Sequence, residues 1–111
     1  MADDDVAFLL DQIVALARAC DSVPFARKWD TRRTWCRRRL MTAKLILTSV
    51  VGRLRRGLVL CGREEFAAQM RASLVDFHKS VTELSRLLGN RTRCDGVLDL
   101  VRVSGELARR I

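Results

Sequence analysis

What most constrains this chain is the spacing of its apolar residues, which return every three or four positions through four separate stretches. In the first, Val6, Leu10, Ile13, Ala17 and Cys20 form a stripe that Leu9 and Leu16 widen, and this predicts a helix from about Asp4 to Cys20. Asp3, Asp4 and Asp5 suit its start, where carboxylates meet the positive end of the helix dipole. Asp21, Ser22 and Pro24 read as its stop, because proline disfavours helix in the residue before it. A second helix is expected from Asp30 or Thr31 as N-cap to about Arg56, with Cys36, Leu40, Ala43, Leu47, Val50 and Leu54 on a heptad-like seam. Gly52 inside it costs about 1 kcal/mol relative to alanine, so it should mark either close helix packing or the onset of fraying.

The third stretch runs from about Arg63 to Leu88, with Phe66, Met70, Leu74, Phe77, Val81, Leu84 and Leu88 on one face. Glu64 and Glu65 fall in its first turn, and Gly89 and Asn90 follow as C-cap residues. The fourth begins near Asp95 and aligns Val97, Val101, Ser104, Ala108 and Ile111, flanked by Leu98, Leu100 and Leu107. Its pattern continues to the last residue, as expected of the N-terminal part of a longer protein. No stretch alternates as a strand would. Four amphipathic helices joined by short connections pack antiparallel around one core, and 111 residues suffice for one core only. The expected fold is therefore an all-α, antiparallel four-helix bundle forming a single domain over residues 1–111.

The charge is distributed unevenly. Residues 1–22 carry five Asp against Arg18, residues 23–62 eleven Arg and Lys against Asp30, and the remainder is nearly balanced, within a net charge of +8. An acidic first helix thus precedes a strongly basic second one. No stretch approaches the roughly 18 uninterrupted apolar residues that span a bilayer. The opening Met1, Ala2 and three aspartates have the wrong charge for a signal peptide or presequence, so the expected location is cytoplasmic or nuclear unless the chain is recruited elsewhere.

Little here supports catalysis or cofactor binding. Cys20, Cys36, Cys61 and Cys94 form no CxxC pair and stand with a single histidine, His78, so neither a metal nor another cofactor is expected. Reduced structural thiols are the reading for the cysteines. His78 beside Phe77 reads as a solvated or half-buried helix residue, the carboxylates form no acid–base pair, and no glycine pattern cradles phosphate. Neither enzymatic activity nor a small-molecule substrate is expected.

The run Arg27, Lys28, Arg32, Arg33, Arg37, Arg38, Arg39 and Lys44 is the densest charged feature. It reads as a solvated face pairing with the acidic first helix or with Glu64, Glu65 and Glu83, as a contact for nucleic acid, or as a contact for an anionic membrane surface. Arg32, Arg33, Arg37, Arg38 and Arg39 are the candidate contacts under either functional reading. Trp29 and Trp35 suit base stacking and a lipid interface alike, and one of the two is expected in the core.

The N-terminal segment MADDDVAFLLDQIVAL resembles the opening motif of plant coiled-coil immune receptors of the nucleotide-binding, leucine-rich-repeat class. Met1, Ala2, Asp3, Val6 and Phe8 match that motif, and Leu10, Ile13 and Leu16 supply aliphatics at corresponding spacings. Asp4 stands where alanine is usual, and the third helix lacks the acidic Glu-Asp-Val-Ile-Asp motif of many members. Over the rest of the chain the similarity is architectural, shared also with mildew-resistance-type receptors and the mixed-lineage kinase domain-like pseudokinase. The resemblance implies a helical executioner bundle, recruited from the cytoplasm to the plasma membrane, that homo-oligomerises and triggers immune cell death. It implies that the first helix is released to form a membrane-inserted, cation-permeable funnel. Val6, Phe8, Leu9, Leu10, Ile13 and Leu16 would then face lipid, and Asp4, Asp5 and Asp11 would line the cation path. The alternative is a non-catalytic basic bundle that binds nucleic acid or a protein partner.

Overall fold

The computed structural model describes residues 3–23, 31–57, 62–89 and 95–110, without the side chains of 3–7, 31–33, 54, 57, 63 and 95. Four helices follow in order: α1 (Asp3–Asp21), α2 (Thr31–Gly57), α3 (Arg63–Leu88) and α4 (Asp95–Arg110). Each lies within a residue or two of the bounds expected from apolar spacing. The chain is an all-α four-helix bundle.

Each helix packs on its sequence neighbours, and α1 closes the ring against α4. The antiparallel sense shows in which residues share a groove. Along α2 and α3, Trp35 and Arg39 lie by Val81 and Leu84, whereas Val50 lies by Gln69 and Ser73. Along α1 and α4, Val23 meets Gly96, and Gln12 shares a groove with Val103. α3 is the most extensively packed helix and α1 the least.

The core follows from the apolar stripes. Ile13, Leu16 and Cys20 of α1, Cys36, Leu40 and Leu47 of α2, and Val97, Leu100 and Leu107 of α4 are buried around α3. All seven expected α3 positions, from Phe66 to Leu88, are buried. On α2 the seam drifts. Val51 is buried while Ala43 and Val50 are only partly so, because a straight helix of 3.6 residues per turn slips against a strict heptad. Leu54 lies outside the described side chains, as does Val6 of the α1 stripe. In α4 Val101 is partly buried and Leu98 exposed, while Ile111 lies outside the described residues.

Gly89 ends α3 at φ 63, a left-handed backbone that glycine adopts without a Cβ penalty, and its N–H donates to the Ser85 carbonyl at 3.2 Å. Gly52 does not behave as either expectation had it. α2 continues past it to Gly57, and a Cβ there would meet only Arg56 of its own helix, at 3.7 Å. The close helix approach is instead at Gly105 of α4, where a Cβ would lie 3.0 Å from the His78 ring of α3.

Candidate functional site

The acidic first helix neutralises little of the basic second one. One described contact joins them electrostatically: Lys44 Nζ donates to both carboxylate oxygens of Asp21, at 2.7 and 2.6 Å. Arg37, Arg38 and Arg39 are exposed and form no ion pair among the described residues. Arg32 and Arg33 lie in the first turn of α2, but their side chains, and all of Arg27, Lys28 and Trp29, are outside those described. Of the carboxylates expected as alternative partners, Glu64 is exposed, and the other two are engaged elsewhere. Glu65 accepts from Gln69 at 3.2 Å, and Glu83 pairs with Arg86. The Arg86 hydrogen bond is the main reason that the Glu83 carboxyl lies below its ordinary value, with Arg39 a minor contributor.

Three consecutive arginines cannot share a face, since successive residues turn by about 100° around a helix. Arg37 is seven residues before Lys44 and so lies on the side facing α1. Arg38, seven before Leu45, points outward. Arg39 aligns with Ile46 and Arg53, seven and fourteen residues on, along the edge facing α3. Trp35, one turn before Arg39, stands on that edge too, and the Arg39 guanidinium lies over its ring, 4.8 Å from the centroid.

Between these arginines the outward side of α2 exposes two large aliphatics, Leu45 and Ile46, among the hydroxyls of Thr42, Thr48 and Ser49. Leu45 is 65% exposed, Ile46 59% and Trp35 45%. Trp35 is therefore not the core tryptophan that composition suggested. The α2 surface consequently alternates along its length: Trp35 with Arg38 and Arg39, then Leu45 and Ile46, then Arg53 and Arg56, all exposed. Leu45 and Ile46 escaped the sequence reading. Their signal was present, since both are large aliphatics off the Cys36, Leu40, Ala43, Leu47 seam.

In α1 most of the residues assigned to a lipid-inserting face are buried in the resting bundle. Leu9, Leu10, Ile13 and Leu16 are buried, Phe8 is 50% exposed, and the Val6 side chain lies outside those described. Asp11 is exposed. Asp4 and Asp5 are on the first turn of α1, with side chains outside those described. Among the described residues no helix is long and apolar enough to cross a membrane.

The described polar chemistry of the core is structural. Ser104 is fully buried, and its Oγ donates to the Leu100 carbonyl at 2.6 Å. The same Oγ lies in hydrogen-bond reach of His78 Nδ1, 3.1 Å away, and the imidazole tautomer sets which of the two donates. The pair ties α3 to α4. Cys20 and Cys36 are buried, and burial pushes the Cys20 thiol up to about 11. Cys61 and Cys94 lie outside the described residues. Among the described residues no cluster of His, Cys, Asp or Glu is arranged to hold a metal ion.

The chain matches no family model, no curated protein and no solved structure, so the α2 surface stands on its own geometry.

Proposed function

We propose that the protein is a non-catalytic helical signalling bundle that docks on anionic membrane surfaces through the outward side of α2. The observation that carries this reading is the exposure of Leu45 and Ile46 between Arg38 and Arg39 on one side and Arg53 and Arg56 on the other, with exposed Trp35 one turn before Arg39. Phosphodiester backbones attract the same arginines, but two bare aliphatics at the centre of the surface gain little from a phosphate groove. A lipid interface accommodates all three groups: aliphatics enter the acyl boundary, tryptophan sits at headgroup level, and arginines meet anionic headgroups.

This docking is peripheral, consistent with the absence of a membrane-spanning helix among the described residues. The executioner role implied by the N-terminal resemblance adds a second stage. Oligomerisation on the membrane would free α1, the least extensively packed helix, to turn Leu9, Leu10, Ile13 and Leu16 from the core toward lipid. Asp11 would then face a cation path.

The test is co-flotation of the protein with phosphatidylserine-containing and pure phosphatidylcholine vesicles, beside a mobility-shift titration with single- and double-stranded nucleic acid. The expected result is flotation with the anionic vesicles only, and no nucleic-acid shift at the same ionic strength. A nucleic-acid shift with a steep salt dependence and no flotation would replace this reading with the basic-bundle alternative.

A further inference from the structure

The α2 surface borders a groove against α3 that is built in two parts. The first, of about 400 Å³, is walled by Ile46, Leu47, Val50, Ala72 and Phe77. The second, of about 240 Å³, opens beside Trp35, Arg38, Arg39 and Thr42. Ala43, Ile46 and Ser80 line both parts, so the two form one trough with an apolar stretch and a basic mouth.

The mouth is equipped for a charged acceptor. Thr42 and Ser80 already spend their hydroxyl protons on the Arg38 and Asp76 carbonyls, at 2.9 and 3.1 Å. The remaining donors are the guanidinium groups of Arg38 and Arg39. The Arg39 guanidinium lies over the Trp35 ring, 4.8 Å from its centroid, and forms no ion pair among the described residues, so its N–H groups are available to a phosphate. Asp76 stands on the rim of the apolar stretch, where it repels an anionic group and so sets which way round an amphiphile lies.

We infer that the α2–α3 groove takes a single anionic phospholipid, its phosphate on Arg38 and Arg39 and one acyl chain along Ile46, Val50 and Phe77. This rests on the membrane-docking reading and narrows it from a surface that senses charge to a site that extracts or grips one lipid molecule. Charge complementarity at the mouth and the change from basic to apolar lining along one trough select this occupant. The combined volume is that of an ordinary small-ligand cleft.

The experiment titrates the protein with dioctanoyl phosphatidylserine below its micellar concentration, by calorimetry, beside dioctanoyl phosphatidylcholine and glycerophosphoserine. One molecule of the anionic lipid should bind per chain, with at least about ten-fold weaker binding of the zwitterionic lipid and of the headgroup alone. Ser80→Trp and Ala72→Trp fill the groove from two exposed positions, and both should lose the short-chain lipid while retaining helical signal, melting midpoint and flotation with anionic vesicles. If the native protein floats but does not bind the short-chain lipid, or if both filled variants bind it undiminished, the groove assignment is overturned and the docking surface survives. If the native protein neither floats nor binds the short-chain lipid, both readings fall together.

Discussion

Individual residues settle what composition left open. Gly52 is a half-buried helical glycine with room for a methyl group, so Gly52→Ala should stabilise the bundle by about 0.5–1 kcal/mol through helix propensity. Gly105→Ala brings the same propensity but sets a Cβ 3.0 Å from the His78 ring, so its melting midpoint should fall below that of Gly52→Ala. An equal rise in both would mean that His78 moves aside freely. Cys20 offers a pH test. Its ordinary value is 9.0 and burial raises it to about 11, so the folded state disfavours the thiolate that the unfolded chain forms readily. The stability this thiol allows is complete below about pH 9 and is lost as pH rises toward 11. Chemical denaturation at pH 8 and pH 10.5, compared with Cys20→Ala, should show a smaller loss in the variant. At pH 8 the native thiol should also react with a soluble disulfide far more slowly than in denaturant.

At the scale of the element, apolar spacing was sufficient to place all four helices, because the core of a bundle is one stripe per helix and the stripe is visible in sequence. The stripe of α3 was legible in full, since that helix is buried against neighbours on two sides. The candidate site was less legible. A list of arginines does not say which side of α2 each occupies, and only the i, i+7 alignment with Lys44, Leu45 and Ile46 separates Arg37, Arg38 and Arg39. Nor does amphipathicity distinguish a core stripe from a lipid-facing one: Leu10 and Ile13 fit both, and at rest they are core. This decides how α1 must be tested. Leu10→Glu or Ile13→Glu puts a charge into the packed interior and should cost several kcal/mol or prevent folding, so loss of activity there reports on the bundle and not on a membrane role. Asp11 is exposed, and Asp11→Asn should leave the unfolding free energy within about 0.5 kcal/mol of native. If α1 lines a cation path, this variant should also lower vesicle ion flux without altering flotation. Unchanged flux would remove Asp11 from that path. On α2, Arg38→Glu with Arg56→Glu should weaken partition to anionic vesicles by roughly 2 kcal/mol or more, from about 1 kcal/mol per basic residue near such a surface. An undiminished partition coefficient in the folded double variant would count against that face.

For the whole molecule, the account describes a bundle with a firmly packed α2–α3–α4 unit and a lightly held first helix, presenting a mixed apolar and basic surface away from the core. Native-state hydrogen exchange should therefore find the slowest amides in α3 and the fastest helical amides in α1. Uniform protection across all four helices would mean that α1 opens only with global unfolding. The central claim, that the outward side of α2 is what meets the membrane, is tested most directly by Trp35 itself. In a Trp29→Phe protein that retains its helical signal and midpoint, Trp35 fluorescence is measured with phosphatidylserine-containing vesicles whose acyl chains carry bromine. The account predicts a blue shift and strong quenching on these vesicles and neither effect with brominated phosphatidylcholine alone. Flotation of the protein with anionic vesicles while Trp35 keeps its solvent-exposed emission would contradict it.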